Sequence, residues 1–166
     1  MVCGCDYPDP KDMENASISL NWTIDETSDE NKEFLRTLPK EATMAFEGKT
    51  VQFVHGSPRK ITEYLKENSK EAEEVMAAFQ ADVLVCGHTH KPYYKMYGDK
   101  MLVNAGSAGK PKTGTPKANY VVINLKKDNA SVEIYEVEYE FEMTAKAIEE
   151  NGLPQKFADA IRTGNA

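Results

Sequence analysis

All three histidines of this 166-residue chain fall in two short segments that each follow a run of β-branched and apolar residues, alternating with polar ones before His55 and continuous before His88. His55 comes directly after Thr50–Val54, and His88 and His90 come just after Asp82–Cys86. Such runs, ended by glycine, are typical of strands. Neighbouring strands of one sheet would bring the three imidazoles to the same edge, and neutral imidazole binds Zn, Mn, Fe, Co or Ni. The pattern therefore predicts His55, His88 and His90 as metal ligands.

A structural role is the alternative for each histidine taken alone, because a single histidine at a strand end more often makes a hydrogen bond than binds a metal. The sequence places no histidine elsewhere. That all three lie at predicted strand ends favours the metal site. Binding of a single metal ion by histidines alone, as in a metal sensor or store, is a further alternative that stays open.

Local patterns predict the elements that position these residues. The predicted helices span 30–38, 60–67 and 70–80, the first capped within 27–30 and the third by Ser69. The predicted hairpins join 93–97 to 100–103 and 120–125 to 131–138. Residues 1–24 show little periodicity, so an irregular connection is predicted there. A helical tail is predicted over residues 143–166. The fold class is therefore α/β.

Composition and charge exclude several classes of protein. With 40% hydrophobic residues the chain can bury the core of one domain, and its net charge of −7 disfavours nonspecific binding to nucleic acid. No apolar stretch approaches the roughly 20 residues that span a bilayer, so no membrane partner is expected. The three cysteines are an odd number, and Cys86 ends a predicted buried strand, which favours a cytoplasmic location. Cys3 and Cys5 are interpreted as free thiols.

A glycine-rich segment over 104–112 lies between the two predicted hairpins. It lacks the spacing of a nucleotide-binding P-loop and no helix is predicted after it, so that interpretation is rejected. Asn104, Gly106 and Ser107 are instead predicted to shape the rim of the metal site and to bind substrate oxygens, with a plain turn as the alternative. Lys110 and Lys112 are candidates for attracting an anionic substrate, although loop lysines are more often simply solvated.

The order of these motifs resembles the C-terminal half of calcineurin-like metallophosphoesterases, in their small bacterial and archaeal branch. The matching motifs are Val54–Pro58, Gly87–His90 and Val103–Gly109. The resemblance implies an α-β-β-α sandwich of mixed sheets flanked by helices, which hydrolyses a phosphate ester by metal-activated water. It implies two divalent ions in the complete domain, such as Mn, Zn, Fe or Ni. His55 and His88 would share one ion and His90 would bind the other, with His88 and His90 as catalytic residues.

The family also uses acidic ligands in Asp-x-His, Gly-Asp and Gly-Asn-His/Tyr-Asp motifs, which lie upstream of the segment where this chain begins. Asp6, Asp9 and Asp12 have none of the context of those motifs. We therefore expect residues 1–166 to form a single, incomplete metallophosphoesterase domain that is nearly inactive alone, with weak metal binding and little turnover. Its expected partners are a small phosphate ester and either the missing N-terminal half or a second copy of the chain. A non-catalytic protein-binding scaffold of the same fold is the alternative.

Overall fold

The structure is a computed structural model that describes residues 9–127 and 129–165. Over these residues the chain forms five helices and seven strands. The helices are α1 (Pro10–Glu26), α2 (Asp29–Thr37), α3 (Lys70–Ala78), α4 (Phe141–Glu150) and α5 (Gln155–Thr163). The strands are β1 (Glu41–Phe46), β2 (Lys49–Val54), β3 (Val83–Cys86), β4 (Tyr93–Tyr97), β5 (Lys100–Asn104), β6 (Ala118–Lys126) and β7 (Asn129–Val137).

Five of the strands form one mixed sheet in the order β1-β2-β3-β5-β4. Strands β2, β3 and β5 run parallel at its centre, and β1 and β4 pair antiparallel at the two edges. Strands β6 and β7 form a separate antiparallel pair. The predicted α/β class, with a mixed sheet flanked by helices, is confirmed.

Two clusters of buried side chains cover the two faces of the five-stranded sheet. On one face, Leu84 and Leu102 pack with the buried side of α3. Because side chains alternate along a strand, Val83 and Val103 lie on the opposite face, where they pack against the β6–β7 hairpin. The hairpin therefore forms a second β layer and α3 forms an outer helical layer.

Several local predictions are confirmed by these elements. Ser28 accepts a hydrogen bond from the Asn31 amide at the start of α2, and Ser69 accepts one from the Ala72 amide at the start of α3. Both predicted hairpins form, as β4–β5 and β6–β7. The predicted tail folds as α4 and α5, which pack together around Ala158.

The irregular connection predicted over 1–24 is wrong for the described part of that segment, because α1 spans Pro10–Glu26. Asp9 caps this helix by accepting a hydrogen bond from the Lys11 amide at 2.8 Å, and Pro10 lies in its first turn. All residues of α1 stay at least partly exposed, so the sequence lacks the apolar periodicity that signals a packed helix. Among the described helices, α1 included, none combines the length and apolar character needed to cross a membrane.

The helix predicted over 60–67 is also wrong, since this stretch consists of turns and irregular chain. The Ser57 hydroxyl accepts hydrogen bonds from the amides of Arg59 and Lys60, which gives the backbone a local alternative to helix. Leu65 is fully buried in the cluster that also contains Leu84. Tertiary packing therefore fixes the segment as a loop.

Cys86 is expected to resist thiol reagents in the folded protein. It ends β3 with only 2% of its surface exposed, and burial raises the pKa of its thiol to about 12. At pH 8 about one molecule in ten thousand then carries the reactive thiolate. Cys3 and Cys5, the other predicted free thiols, lie outside the described residues.

A Cys3→Ser/Cys5→Ser variant leaves Cys86 as the single thiol to follow. We expect DTNB to react with this variant about 100-fold more slowly in native buffer than in guanidinium chloride. Equal rates in the two solvents would show that β3 does not bury this thiol.

Candidate metal centre

The three central strands end at one edge of the sheet, and the histidines follow them there. Because β2, β3 and β5 are parallel, their carboxyl ends lie side by side, with His55 just after β2 and His88 just after β3. The His55 carbonyl accepts a hydrogen bond from the Gly87 amide at 2.9 Å, which extends the strand pairing into the loops. The structure therefore places the histidine segments together at the carboxyl ends of the central strands, as the sequence predicts.

His55 and His88 face each other at this edge. The Nε2 atom of His55 lies 3.1 Å from the Nδ1 atom of His88, and the ring centroids are 4.9 Å apart in an edge-to-face contact. Two nitrogens bound to one ion at about 2.1 Å are about 3.0 Å apart at a right angle and about 3.4 Å apart at a tetrahedral angle. The observed separation falls in this range, so the distance between the two nitrogens is compatible with one divalent ion. In the structure itself the contact is a hydrogen bond between the rings.

The other ring nitrogen of His88 is held by the backbone. His88 Nε2 lies 3.2 Å from the Thr62 carbonyl, and since a carbonyl only accepts, Nε2 carries the proton. The lone pair of Nδ1 then faces His55. Tyr64 stacks on the His88 ring with centroids 4.1 Å apart. In most metal sites a ligand histidine is oriented in this way, with its second nitrogen donating to a carbonyl or carboxylate.

His90 lies near this pair without joining it in a cluster. Its Nδ1 donates to the Lys110 carbonyl at 2.6 Å, which leaves Nε2 free. Within residues 9–127 and 129–165, no group of three or more His, Cys, Asp or Glu side chains is arranged to hold a metal ion. The structure thus brings His55 and His88 together. The metal-binding role of His55, His88 and His90 and the catalytic role of His88 and His90 stay predictions.

Both His88 and His90 have backbone in the left-handed region, with φ of 63° and 60°. Residues other than glycine adopt this conformation rarely, at a cost of about 1–2 kcal/mol each. Such conformations persist where surrounding contacts impose them and are frequent at functional sites. Here the Thr62 and Lys110 carbonyls hold the two rings, and neither the conformation nor these partners has a signal in the sequence.

Burial favours the neutral form of both loop histidines. It lowers the pKa of His88, and the charge of the nearby His55 lowers it further. Burial also lowers the pKa of His90, against the opposite effect of the hydrogen bond to the Lys110 carbonyl. Both imidazoles are therefore neutral at pH 7, which is the form that binds a metal.

A hydrogen-bond network within residues 56–63 holds the loop that carries the Thr62 carbonyl. The Ser57 hydroxyl donates to the Glu63 carboxylate, and Arg59 donates to the same carboxylate through two N–H groups. The bonds from Arg59 are the main reason that the pKa of Glu63 is lowered. The loop that presents the Thr62 carbonyl to His88 is therefore held by several side-chain hydrogen bonds of its own.

Asn104 is fully buried and joins the ends of β3 and β5. Its Nδ2 donates to the Gly87 carbonyl at 2.7 Å, and its Oδ1 accepts from the Gly106 amide at 3.1 Å. The Ser107 hydroxyl accepts from the Lys110 amide at 2.9 Å. These contacts support a structural role for the turn, and substrate binding by Asn104, Gly106 and Ser107 stays a prediction.

The two loop lysines differ in their surroundings. The Nζ atom of Lys110 lies 5.0 Å from the centre of the Phe157 ring, and burial lowers its pKa. Lys112 instead lines an open groove. Of the two, Lys112 is therefore the better placed to meet a dissolved anion.

Comparison with known proteins covers both the sequence and the fold. The calcineurin-like phosphoesterase superfamily domain matches residues 4–128. An uncharacterised protein of Methanocaldococcus jannaschii is 31% identical over 166 aligned positions, which cover 89% of this chain and 65% of that protein. A protein of Methanothermobacter thermautotrophicus named probable metallophosphoesterase is 30% identical over 96 residues, which cover 57% of this chain and 52% of that protein.

A crystal structure of a metallophosphoesterase from Sphaerobacter thermophilus matches the fold with a TM-score of 0.76 and 25% sequence identity. That match covers 98% of this chain and 71% of the other. The chain spans about two thirds and about half of the lengths of the two curated relatives above. Because the family match includes both histidine segments and most of the chain, this protein belongs to the calcineurin-like phosphoesterase superfamily.

Proposed function

We propose that this chain contributes the histidine ligands of a metal-dependent phosphoesterase that hydrolyses a phosphate monoester or diester. The observation that carries the proposal is the 3.1 Å approach of His55 Nε2 to His88 Nδ1. Membership of the calcineurin-like phosphoesterase superfamily supports the class of reaction. A divalent ion in such a site lowers the pKa of water towards neutrality and polarises a phosphoryl oxygen.

In this proposal each histidine binds an ion through one ring nitrogen. The other ring nitrogen of His88 and of His90 donates a hydrogen bond to a backbone carbonyl. His55 and His88 hold one ion between Nε2 and Nδ1, while the Thr62 carbonyl keeps the His88 ring in place. His90, fixed at Nδ1 by the Lys110 carbonyl, offers Nε2 to a second ion. The backbone therefore sets the direction of both loop imidazoles before an ion arrives.

Carboxylates are needed to complete such a centre, because neutral imidazoles leave the charge of a divalent ion uncompensated. In the part of the chain that the structure describes, no acidic side chain groups with His55 and His88 to form a set of three ligands. We propose that acidic ligands from outside the described residues complete the centre. The chain alone should then bind one ion weakly and turn over slowly.

Chromogenic esters test this function on the 166-residue chain. With Mn²⁺, Zn²⁺ or Ni²⁺ present, we expect hydrolysis of bis-p-nitrophenyl phosphate or p-nitrophenyl phosphate above the rate of the metal alone, well below the kcat of about 10 s⁻¹ typical of enzymes. EDTA and a His55→Ala substitution should each abolish the increment. The ratio of the two ester rates then identifies the preferred ester class.

A non-catalytic protein-binding role is the second candidate. Two observations favour it: the incomplete ligand set in the described residues and the exposed apolar side chains on α2 and β1. Phe34 and Leu35 on α2 are 60% and 48% exposed, and Phe46 on β1 is 44% exposed. Large exposed apolar patches are typical of surfaces that contact another protein. No metal-dependent hydrolysis of either ester would exclude catalysis by this chain alone, and absence of metal binding as well would favour the protein-binding role.

Three finer points remain proposals within this function. The metal is proposed to be Mn, Zn, Fe or Ni, since imidazole binds all of them. Two ions are proposed for the complete centre, one for the His55–His88 pair and one for His90. A cytoplasmic location is proposed from the free thiol of Cys86, which suits a reducing compartment.

A further inference from the structure

A groove of about 910 Å³ opens beside the loop that carries His88 and His90. Three of its lining side chains are lysines, Lys66, Lys91 and Lys112, whereas Glu67 is the single acid among the lining residues. The local formal charge is therefore +2, from three lysines and one glutamate, in a chain whose net charge is −7. A concave surface of opposite sign to the rest of the protein concentrates anions.

The groove is lined by residues that contact or adjoin the histidines of the candidate metal centre. Tyr64 lines the groove and stacks on the ring of His88. Thr89, between the two loop histidines, also lines it. The Lys112 amide donates to the His90 carbonyl at 3.2 Å, so the lysine loop and the histidine loop are joined directly. An anion in the groove would therefore lie next to a phosphate held at the histidines.

The groove lysines are available for a ligand. Among the described residues, none of the three ammonium groups forms a salt bridge with a carboxylate, whereas Lys117 and Lys156 do. The Nζ atom of Lys66 instead lies 6.0 Å from the centre of the Tyr64 ring.

We propose that this groove binds a second phosphate group of the substrate, separate from the ester that is hydrolysed at the histidines. The inference rests on the proposed function and narrows its substrate to phosphate esters that carry another phosphate. Lysine ammonium groups, with three donors each, match the oxygens of a phosphate dianion. A nucleic acid backbone is disfavoured as the ligand, because it requires an extended basic surface that a chain with net charge −7 does not offer.

Binding of inorganic pyrophosphate in EDTA tests the groove without any metal ion. We expect calorimetry to show binding by the wild type that weakens as NaCl is added. The Lys66→Gln/Lys91→Gln/Lys112→Gln variant should lose about 10-fold to 100-fold in affinity. The matched control is Lys40→Gln/Lys126→Gln/Lys127→Gln, three exposed lysines outside the groove, and it should change affinity less than about 3-fold.

The outcomes separate this inference from the proposed function. The groove assignment would be overturned if the wild type did not bind pyrophosphate, or if the two triple variants lost equal affinity for it. Neither result would affect the proposed function, which Mn²⁺ binding and ester hydrolysis test separately. If the chain instead bound pyrophosphate through the groove lysines but bound no metal ion, the phosphoesterase proposal would be rejected and the groove would stand as an anion-binding site alone. Should the groove variant fail to fold, Lys91→Gln alone, at an exposed position, should still lower the affinity, and no change would count against the groove.

Discussion

Replacing His88 with alanine should lower the affinity of the chain for Mn²⁺ or Zn²⁺ by about 100-fold. His88 Nδ1 lies 3.1 Å from His55 Nε2, so the variant leaves only one imidazole of the proposed chelating pair. Isothermal titration calorimetry at pH 7 measures the difference directly. At this pH burial keeps the His88 imidazole neutral, so its lone pair is available to the metal.

His90→Ala is the matched control for this substitution. His90 also lies on the loop after β3 and also donates one nitrogen to a backbone carbonyl, but it does not contact the His55–His88 pair through a hydrogen bond in the described structure. We expect its affinity for the first ion to stay within about 3-fold of wild type. Equal affinity of the wild type and His88→Ala, with both folded by thermal unfolding, would remove the imidazole pair as the metal site.

Replacing Gly56 with alanine is expected to reduce the free energy of unfolding by about 2–3 kcal/mol. A Cβ at this position would lie 2.4 Å from the Ile61 carbonyl oxygen, and the Lys60 carbonyl oxygen would be 2.8 Å away. These are backbone atoms, so no side-chain rotation relieves the overlap. The loop must move as a whole, and it carries the Thr62 carbonyl that orients His88. Urea denaturation measures the loss of stability, and metal affinity should fall with it.

Gly109→Ala is the control for the glycine substitution. A Cβ added at Gly109 meets no described atom within 4 Å, so its stability should stay within about 0.5 kcal/mol of wild type. Similar stabilities for Gly56→Ala and Gly109→Ala would show that the 56–63 loop does not pack closely behind the histidines.

The sequence predicted the edge of the sheet at which the histidines meet. The run before His55 alternates apolar and polar residues, the run before His88 is continuously apolar, and a glycine follows each run. Parallel strands of one sheet have their carboxyl ends on the same side. Helix caps such as Ser69 were equally readable, because a cap depends on residues a few positions apart. Predictions failed where contacts between distant residues decide the conformation. Residues 60–67 were predicted as a helix but form a loop, in which Leu65 is buried in the core.

Helix α1 was not predicted from the sequence because it packs little, rather than because distant contacts override a local pattern. Its capping signal at Asp9 and Pro10 is local and present, but α1 buries no face, so the periodicity on which helix prediction relies is weak. Strand β1 was missed as well, and its burial pattern shows only one partly covered residue. Elements that pack little leave little pattern in the sequence.

By itself the sequence determined the residue types of the candidate site, the strands that carry them and their family, because strand pattern and motif order are properties of neighbouring residues. The family resemblance had already paired His55 with His88 and set His90 apart. Only the tertiary structure decided that the contact joins Nε2 of His55 to Nδ1 of His88, and that the carbonyls of Thr62 and Lys110 orient the rings of His88 and His90. The physical reason is that a hydrogen bond depends on the direction of single atoms, and that direction is fixed by chain segments distant in sequence.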